Sequence, residues 1–406
     1  MTLTPRPYQI AGRDFLAARR FAFLADEMRV GKTPQAIMAA HEVGVDSLIV
    51  VCPAIAVPHW GRELGRWYVG PPMSRITVIS YDRLRLNADD YLKQQWDLAI
   101  VDECHFAKNP EAQRTKLIYG KGGLGYCSDR MWVLSGTPAP KHAGELWCML
   151  KAFGVVKMTY DEFLRRYCRL DSLGVVRGTR VQMIPELREL LAKVMLRRTR
   201  KQVAPDMPDI DYQFLEVKPI GDAALSVPAG LSDADLLAWL EAHPNSGEQD
   251  RIAVATAKVI PIADNIQFAI ENDLLQQTVV FGWHVEPLGR LAAELNGRGI
   301  RTGLITGASP PRERERVQRQ FREGHLQVVA GNILACGTAI DLSAARHAYF
   351  LELDWVSGNN VQAASRLVNM EKLDKVTADV VTWKGSVDDR VQQALVRRVK
   401  ELSQLY

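Results

Sequence analysis

Short apolar, β-rich runs alternate with amphipathic helical stretches along this chain. In the first half these runs lie at residues 20–25, 47–52, 75–80, 97–101 and 130–134. In the second half they lie at residues 278–281, 301–305, 326–330, 347–353 and 375–382. The alternation predicts βαβ units around parallel sheets, and because it occurs twice we expect an α/β fold with two lobes.

The region between the two sets of runs, roughly residues 140–275, has helical and irregular patterns instead. Within it, residues 221–250 are rich in Gly, Pro, Ser and Asp, which is typical of a surface connection. We therefore predict an N-terminal lobe with a helical extension at residues 1–215 and a C-terminal lobe at residues 216–406. A last helix is expected at about residues 387–405.

Composition places the chain among soluble globular proteins. Of its 406 residues 47% are hydrophobic and 24% are charged, which excludes a disordered tail, a collagen-like rod and a coiled coil. The balance of 51 Lys and Arg against 47 Asp and Glu gives a net charge of +4. So mild an excess permits a nucleic-acid partner without requiring one.

The cysteines and the N-terminus suggest an intracellular protein. The 6 cysteines form no C-x-x-C pair and no short Cys/His cluster, so neither a zinc site nor a secreted disulfide framework is indicated. The chain starts without an apolar leader, and its most apolar stretch, residues 47–58, is short and contains prolines. We expect a cytoplasmic location in a reducing compartment.

The clearest chemical signal is the segment LADEMRVGKT at residues 24–33, which leaves an apolar run and enters a helical stretch. This is the arrangement of a phosphate-binding loop, whose backbone N–H groups and helix N-terminus hold phosphates. Lys32 is placed to reach the β- and γ-phosphates, and Thr33 to bind Mg²⁺. The strict pattern begins with Gly, where this chain has Asp26.

A pair of adjacent acids follows a later apolar run. Residues 97–101 lead into Asp102, Glu103, Cys104 and His105. Asp102 can hold Mg²⁺ while Glu103 orients or deprotonates the attacking water. Two acids alone could be a solvated strand end, but their place after a phosphate-binding loop favours a nucleotide-hydrolysing site.

Residues 102–105 resemble a DExH box, and the chain resembles the superfamily 2 helicase-type ATPases. More narrowly it is similar to the SWI/SNF-like DNA translocases, and among them to the small annealing-helicase (HARP-like) branch. Residues 195–200, MLRRTR, are similar to a Leu-Arg-Arg-Thr-Lys segment that general helicases lack. The resemblance covers nearly the whole chain and implies two RecA-like lobes, with ATP between them and DNA across both.

The resemblance implies roles for residues in the other motifs of the first lobe. Gln9, in the segment LTPRPYQ, is expected to recognise adenine, and Arg29 and Gly31 join Lys32 and Thr33 around the nucleotide. Beside the segment VCPA at residues 51–54, nucleic-acid contacts are expected from His59 and Trp60. Coupling of hydrolysis to lobe movement is expected from His105, Ser135 and Thr137, the last two in the segment LSGTP.

The second lobe carries a matching set. Nucleic-acid contacts are expected from Thr306, Arg314 and Trp355. Nucleotide contacts are expected from Gly337 and Asp341 in the segment ACGTAIDL. In the segment QAASR the resemblance assigns coupling to Gln362 and a catalytic cation facing ATP to Arg366.

Three departures from the family pattern touch nucleotide motifs. Arg29 stands where Gly is usual, and Ala339 and Asp341 stand where Gly and Asn are usual. Asn369 replaces the second arginine of the pattern Gln-Ala-x-x-Arg-x-His-Arg. Such an arginine finger is worth ~10³ to 10⁵ in rate. Either Arg366 or another arginine substitutes, or hydrolysis is slow, or the chain is an altered version of an active parent.

Less specific interpretations stay open for several of these residues. His59 and Trp60 could be ordinary packing residues. Arg197 and Arg198 are candidates for a structural or coupling role between the lobes. A salt-bridged, solvated helix face is the alternative for the arginines that alternate with glutamates, namely Arg312, Arg314, Arg316, Arg319 and Arg322.

The expected function is ATP-driven translocation on double-stranded DNA, with ATP and Mg²⁺ as cofactors. Binding to duplex, forked or branched DNA should be largely sequence-independent and salt-sensitive. Because little of the chain follows the second lobe, we expect work on bare forks or reannealing strands rather than on nucleosomes. Two alternatives remain: a strand-separating DNA or RNA helicase, and a nucleotide-gated DNA-binding module that has lost hydrolysis.

Overall fold

The computed structural model describes residues 4–139, 141–206, 208–218, 242, 244–337, 340–369, 374–384, 386 and 389. The chain divides into two compact units between Pro205 and Asp206. Most of the predicted connection at residues 221–250, nearly all of the predicted last helix at about residues 387–405, and the departure at Ala339 lie outside the described residues.

The first unit is built on a parallel sheet. Its described strands are β1 (Phe21–Leu24), β2 (Ser47–Cys52), β3 (Arg75–Ser80), β4 (Trp96–Asp102), β5 (Ser128–Leu134) and β8 (Met195–Leu196). They lie in the order β3-β2-β4-β5-β1-β8, and every pair is parallel. A separate antiparallel hairpin joins β6 (Cys168–Leu170) to β7 (Val176–Thr179).

Helices lie between these strands in the chain. Those of the first unit are α1 (Pro7–Ala17), α2 (Lys32–Glu42), α3 (Val57–Trp67), α4 (Tyr81–Leu86), α5 (Ala88–Leu92), α6 (Gln113–Tyr119), α7 (Trp147–Ala152), α8 (Tyr160–Tyr167), α9 (Ile184–Ala192) and α10 (Arg200–Val203). Short 3-10 turns occur at Ala54–Ala56, Cys104–Ala107, Ala143–Leu146 and Val181–Met183.

Both faces of the first sheet are buried, which explains why its strands are apolar runs rather than alternating ones. In β2 the side chains of Ile49 and Val51 join one hydrophobic cluster, and those of Leu48 and Val50 join another. Successive side chains of a strand point to opposite faces, so the two clusters lie on the two sides of the sheet.

The second unit repeats this plan. Its described strands are β9 (Ile210–Glu216), β10 (Thr278–Gly282), β11 (Thr302–Ile305), β12 (Val328–Asn332), β13 (His347–Phe350) and β14 (Val376–Thr382), all parallel in the order β11-β12-β10-β13-β14-β9. Its described helices are α11 (Pro244–Ala257), α12 (Val259–Glu271), α13 (Val285–Gly297), α14 (Pro311–Arg322), α15 (Ile333–Cys336) and α16 (Ser357–Ala364), followed by a 3-10 turn at Ser365–Leu367.

Each predicted apolar run overlaps a strand, and the predicted fold of two parallel sheets flanked by helices is confirmed. The sequence analysis did not predict the hairpin, β8 or β9 as strands. Because β9 pairs with β14, residues 210–216 belong to the second sheet, although most of them fall within the predicted first lobe of residues 1–215. Among the described helices, none has the length and apolar character needed to cross a membrane.

Candidate nucleotide-binding site

Three neighbouring strands of the first sheet end at the same level. Leu24 at the end of β1 is in register with Leu134 at the end of β5, and Leu134 is in register with Asp102 at the end of β4. The loops after these strands therefore meet at one edge of the sheet. The carboxyl edge of parallel strands is where α/β folds bind their ligands.

The loop after β1 has the shape of a phosphate-binding loop. Gly31 caps helix α2 with φ 80° and ψ 52°, in the left-handed region that favours glycine. A Cβ atom on Gly31 would lie 2.6 Å from Gln9 Nε2, so the side chain predicted to recognise adenine lies against this loop. Gln9 Oε1 in turn accepts a hydrogen bond from the Arg6 backbone N–H, at 2.9 Å.

Arg29 adopts a left-handed conformation, with φ 66°. A residue with a Cβ atom pays roughly 1–3 kcal/mol for this conformation. The conformation gives a physical reason for the glycine that is usual at this position, and in this chain arginine adopts it.

Lys32 lies at the centre of the site. Its Nζ donates to the backbone oxygens of Asp26, at 2.8 Å, and Glu27, at 3.3 Å. A Cβ atom on Gly136, in the loop after β5, would lie 3.3 Å from the same Nζ. Burial lowers the pKa of Lys32, and the nearby carboxylate of Glu103 is the strongest of the charges that oppose this shift.

The acidic pair follows β4. Asp102 Oδ1 accepts from the Glu103 backbone N–H at 3.0 Å, and Asp102 Oδ2 accepts from Trp60 Nε1 at 2.8 Å. Burial, together with the charge of Glu103, raises the pKa of Asp102 above its usual value. A buried carboxylate with a raised pKa is stabilised by a cation, so Asp102, with Thr33 at the start of α2, fits the binding of Mg²⁺.

Trp60, a predicted DNA contact, lies buried beside the acidic pair. Its side chain has 0% exposure and supports Asp102 through the indole N–H. Tyr81 also holds the acidic loop; residues 80–82 resemble a further motif of the family, but the sequence assigned Tyr81 no role. Its hydroxyl donates to the backbone oxygens of Asp102, at 2.7 Å, and Glu103, at 3.2 Å.

Glu103 and His105, which follow β4, form one group with Ser135, which follows β5. His105 Nδ1 lies 2.9 Å from Ser135 Oγ and 3.3 Å from Glu103 Oε2. Ser135 Oγ lies 3.4 Å from Glu103 Oε2 and accepts from the Thr137 backbone N–H at 3.1 Å. Two of the residues assigned to coupling, His105 and Ser135, thus contact Glu103, the carboxylate assigned to the attacking water.

In the second unit the residues assigned to the nucleotide lie on one cluster of loops. Arg366 donates through Nε to the Gly337 backbone oxygen at 3.1 Å, and through Nη2 to the same oxygen. Gln362 Oε1 would lie 3.6 Å from a Cβ atom on Gly337. Ser343 N donates to Asp341 Oδ1 at 3.2 Å, and Asn369 Nδ2 donates to Ser343 Oγ at 2.7 Å.

The predicted nucleic-acid residues of the second unit are also engaged within it. Arg314 donates through Nε to the Ser309 oxygen and through Nη2 to the oxygens of Thr306 and Gly307, each at 2.9 Å. Arg314 thereby shapes the loop whose exposed tip is Gly307 and Ala308.

Trp355 and His59 are the other two predicted nucleic-acid residues. The Arg251 guanidinium lies 4.4 Å from the centre of the half-buried Trp355 ring. Arg251 is buried and lies in α11, a contact that the motif resemblance did not indicate. His59, in the first unit, is half-buried in α3.

Comparison with known proteins gives two domain matches. A model described as SNF2-related domain matches residues 72–221, and one described as helicase conserved C-terminal domain matches residues 261–370. The first match begins after the phosphate-binding loop.

Two relatives extend the similarity over most of the chain. The DNA annealing helicase and endonuclease ZRANB3 of Mus musculus is 28% identical over 97% of this chain and 40% of that protein. The SWI/SNF-related matrix-associated actin-dependent regulator of chromatin subfamily A-like protein 1 homolog of Caenorhabditis elegans is 25% identical over 98% of this chain and 61% of that protein. The chain thus spans 40% and 61% of the lengths of these relatives.

Among solved structures, the Sulfolobus solfataricus SWI2/SNF2 ATPase core in complex with dsDNA is similar, with a TM-score of 0.46 and 18% identity over 98% of this chain and 92% of that one. This chain thus carries an SNF2-related domain at residues 72–221, followed by a helicase conserved C-terminal domain at residues 261–370.

Proposed function

We propose that this chain is an ATP-driven translocase on double-stranded DNA, whose ATP hydrolysis is stimulated by duplex, forked or branched DNA. The observation that carries the proposal is the meeting of Lys32, the pair Asp102 and Glu103, and Ser135 at the carboxyl edge of one sheet, in a chain that carries an SNF2-related domain. Similarity to a protein named DNA annealing helicase, over 97% of this chain, supports annealing or fork remodelling as the specific use.

The chain's own residues account for each task in the first unit. Gln9 and the loop at Gly31 would hold the nucleotide, and Lys32 would hold its phosphates. Asp102 and Thr33 would hold Mg²⁺, which when bound neutralises charge on the phosphate oxygens. Glu103 would orient the attacking water and accept its proton. His105 and Ser135, which contact Glu103, would make its position depend on movements of the loop after β5.

For DNA, we propose that backbone phosphates meet the exposed loop tip at Gly307 and Ala308, with His59 and Trp355 as further contacts. Backbone N–H groups and cations contact phosphates without distinguishing bases. Arg314 would act by shaping this loop, because its guanidinium is engaged by three loop carbonyls.

The proposal is tested by steady-state ATP hydrolysis with no DNA, single-stranded DNA, blunt duplex and forked DNA. We expect blunt duplex and forks to stimulate turnover, and the Glu103→Gln variant to bind ATP without hydrolysing it. Equal turnover with and without DNA would contradict the translocase. ATP-dependent DNA binding without turnover would instead favour a nucleotide-gated binding module.

One observation favours a strand-separating helicase as a second candidate. Leu173, at the tip of the β6–β7 hairpin, is 86% exposed. The tip is held by Asp171, whose Oδ1 accepts from the N–H groups of Leu173 and Val175 at 2.9 Å and whose Oδ2 lies 2.7 Å from Arg177 Nη2. An exposed aliphatic side chain on a stiff support is the kind of wedge that proteins insert between base pairs.

Strand release from a forked duplex tests this candidate. A strand-separating enzyme would release a strand, and Leu173→Asp would abolish release while DNA-stimulated hydrolysis continues. Leu86→Asp is the matched control, since Leu86 is also exposed, at 71%, in the same unit. If the unaltered protein hydrolyses ATP on forks without releasing a strand, the strand-separating helicase is excluded and the translocase remains as the proposed function.

A further inference from the structure

The segment from Val194 to Arg200, here named the arginine segment, runs beside the phosphate-binding loop. Backbone N–H groups of Phe23, Ala25 and Glu27 donate to the oxygens of Val194, Leu196 and Arg198, at 2.7, 2.8 and 2.9 Å respectively. The parallel pairing of β1 with β8 thus continues beyond the end of β1, into the first residues of the loop.

Three arginine side chains of this segment each hold one residue of the loop. Arg197 Nη1 donates to the Ala25 oxygen at 2.8 Å. Arg198 donates to the Asp26 carboxylate through Nε, at 3.0 Å to Oδ1, and through Nη2 to Oδ2. Arg200 donates through Nε to Glu27 Oε1 at 3.1 Å and through its backbone N–H to Glu27 Oε2 at 2.7 Å.

Arg198 connects both ends of the loop. Asp26, the partner of Arg198, has 0% exposure. Arg198 Nη2 also donates to Gln35 Oε1 at 2.8 Å. Gln35 Nε2 donates to Asp26 Oδ2 at 3.2 Å and to the Gly31 oxygen at 3.1 Å. Arg198 Nη1 donates to the Tyr8 oxygen, directly before Gln9.

The charge of Asp26 links this arrangement to Lys32. The Asp26 backbone oxygen accepts from Lys32 Nζ, and the Asp26 carboxylate is among the charges that act on the Lys32 ammonium. A buried carboxylate that loses its partner is strongly destabilised. Without Arg198, Asp26 stays buried as an uncompensated charge that attracts the Lys32 ammonium.

We propose that Arg198 is a positioning residue for the nucleotide. It neutralises Asp26, keeps the Lys32 ammonium available for phosphates, and ties the loop to the helix that carries Gln9. This inference rests on the proposed function, because it requires a nucleoside triphosphate at the loop. Arg198 itself contacts the protein and not the nucleotide.

A double-mutant cycle tests the proposal. The dissociation constant of a fluorescent, non-hydrolysable ATP analogue is measured for the full chain and for Arg198→Met, Asp26→Asn and the double variant, together with thermal unfolding midpoints. We expect Arg198→Met to weaken binding about tenfold or more, and the double variant to recover most of the loss, because the unpaired carboxylate is gone. A merely structural role would lower the unfolding midpoint and the affinity together, whereas a positioning role weakens binding in variants that are still folded at the assay temperature.

Two further variants keep the test decisive. Arg166→Met removes an exposed arginine paired with Glu186 and should leave binding unchanged. Arg198→Lys keeps the charge but loses the two-pronged contact, so a partial loss is expected, which decides the matter if Arg198→Met does not fold. Unchanged affinity in both Arg198 variants, or a double variant as weak as Arg198→Met, would overturn the proposal. Absence of analogue binding by the unaltered chain would instead overturn the proposed function.

Discussion

Trp60 illustrates how the surroundings of one side chain decide its role. Tryptophan beside a helicase motif suggested a DNA contact, yet its side chain is completely buried and donates to Asp102 Oδ2. Hydrogen bonds to charged groups contribute roughly 1.5–3 kcal/mol, so this bond is strong enough to hold the carboxylate in place.

Trp60→Phe should therefore lower turnover by about tenfold or more, because Asp102 loses a hydrogen bond while the core keeps an aromatic ring. DNA affinity should be unchanged. Steady-state hydrolysis and fluorescence anisotropy with labelled duplex measure the two effects separately. Weaker DNA binding with normal turnover would instead support the prediction that Trp60 contacts DNA.

Asn369 is the second residue whose setting matters. Its side-chain amide donates to Ser343 Oγ at 2.7 Å, which fits a structural role in the loop of Asp341. An amide supplies no positive charge to a transferred phosphoryl group.

We expect Asn369→Arg to raise DNA-stimulated turnover by about tenfold or more, with little change in ATP affinity, since an arginine finger acts in the transition state. Asn369→Gln is the control without charge. A turnover that stays at the level of the unaltered chain would show that the missing finger does not limit the rate.

At the scale of elements, neighbouring strand ends also position a buried hydrogen-bonded pair in the second unit. His284 follows β10 and Glu352 follows β13; His284 Nδ1 lies 2.6 Å from Glu352 Oε1, and His284 N donates to Oε2 at 2.9 Å. Burial favours the neutral acid, but the hydrogen bond with His284 and the charge of Arg251 hold the pKa of Glu352 below its usual value.

A lowered carboxylate pKa stabilises the folded state above the usual range of glutamate, and this stabilisation is lost as the pH falls through the folded-state pKa. Glu352→Gln should cost about 3 kcal/mol in the free energy of unfolding at pH 7, because Arg251 is left buried beside a neutral group. Because the variant lacks this carboxylate, its free energy of unfolding should fall less steeply with pH below about pH 4.5.

Urea unfolding at neutral and acidic pH measures both effects for the second unit. Glu313→Gln, which removes an exposed glutamate paired with Arg316, is the control and should unfold like the unaltered chain. Equal unfolding of Glu352→Gln and the control at pH 7 would show that the buried pair does not stabilise the unit.

At the scale of the whole molecule, a net charge of +4 indicates that the proposed DNA binding would depend on local groups of cations rather than on a strongly basic surface. If phosphate contacts supply the affinity, the logarithm of the association constant should fall linearly with the logarithm of the salt concentration. With 6–10 such contacts, affinity should fall by about 10³-fold or more between about 50 and about 200 mM salt.

Duplexes of unrelated sequence should show the same dependence, measured by anisotropy without nucleotide and with a non-hydrolysable ATP analogue. An affinity that changes with base sequence and stays constant with salt would indicate base-specific recognition and contradict the proposal.

The apolar runs were sufficient to predict both parallel sheets, because a strand buried on both faces needs nearly continuous apolar residues. The motif residues Lys32, Asp102, Glu103 and Ser135 follow such runs, so their meeting at one sheet edge could also be predicted. Local patterns specify these features because each depends on residues that are close together in the chain.

Other features depended on contacts between distant segments. The two-residue strand β8 is too short to show a pattern, and Arg198 reaches Asp26 across a separation of 172 residues. The pairing of β9 with β14 and the burial of Trp60 against Asp102 likewise arise only when the chain is folded. The sequence determined which residues are candidates for the chemistry. The tertiary structure decided which other residues hold these candidates in place, because burial and charge pairing are properties of the packed chain.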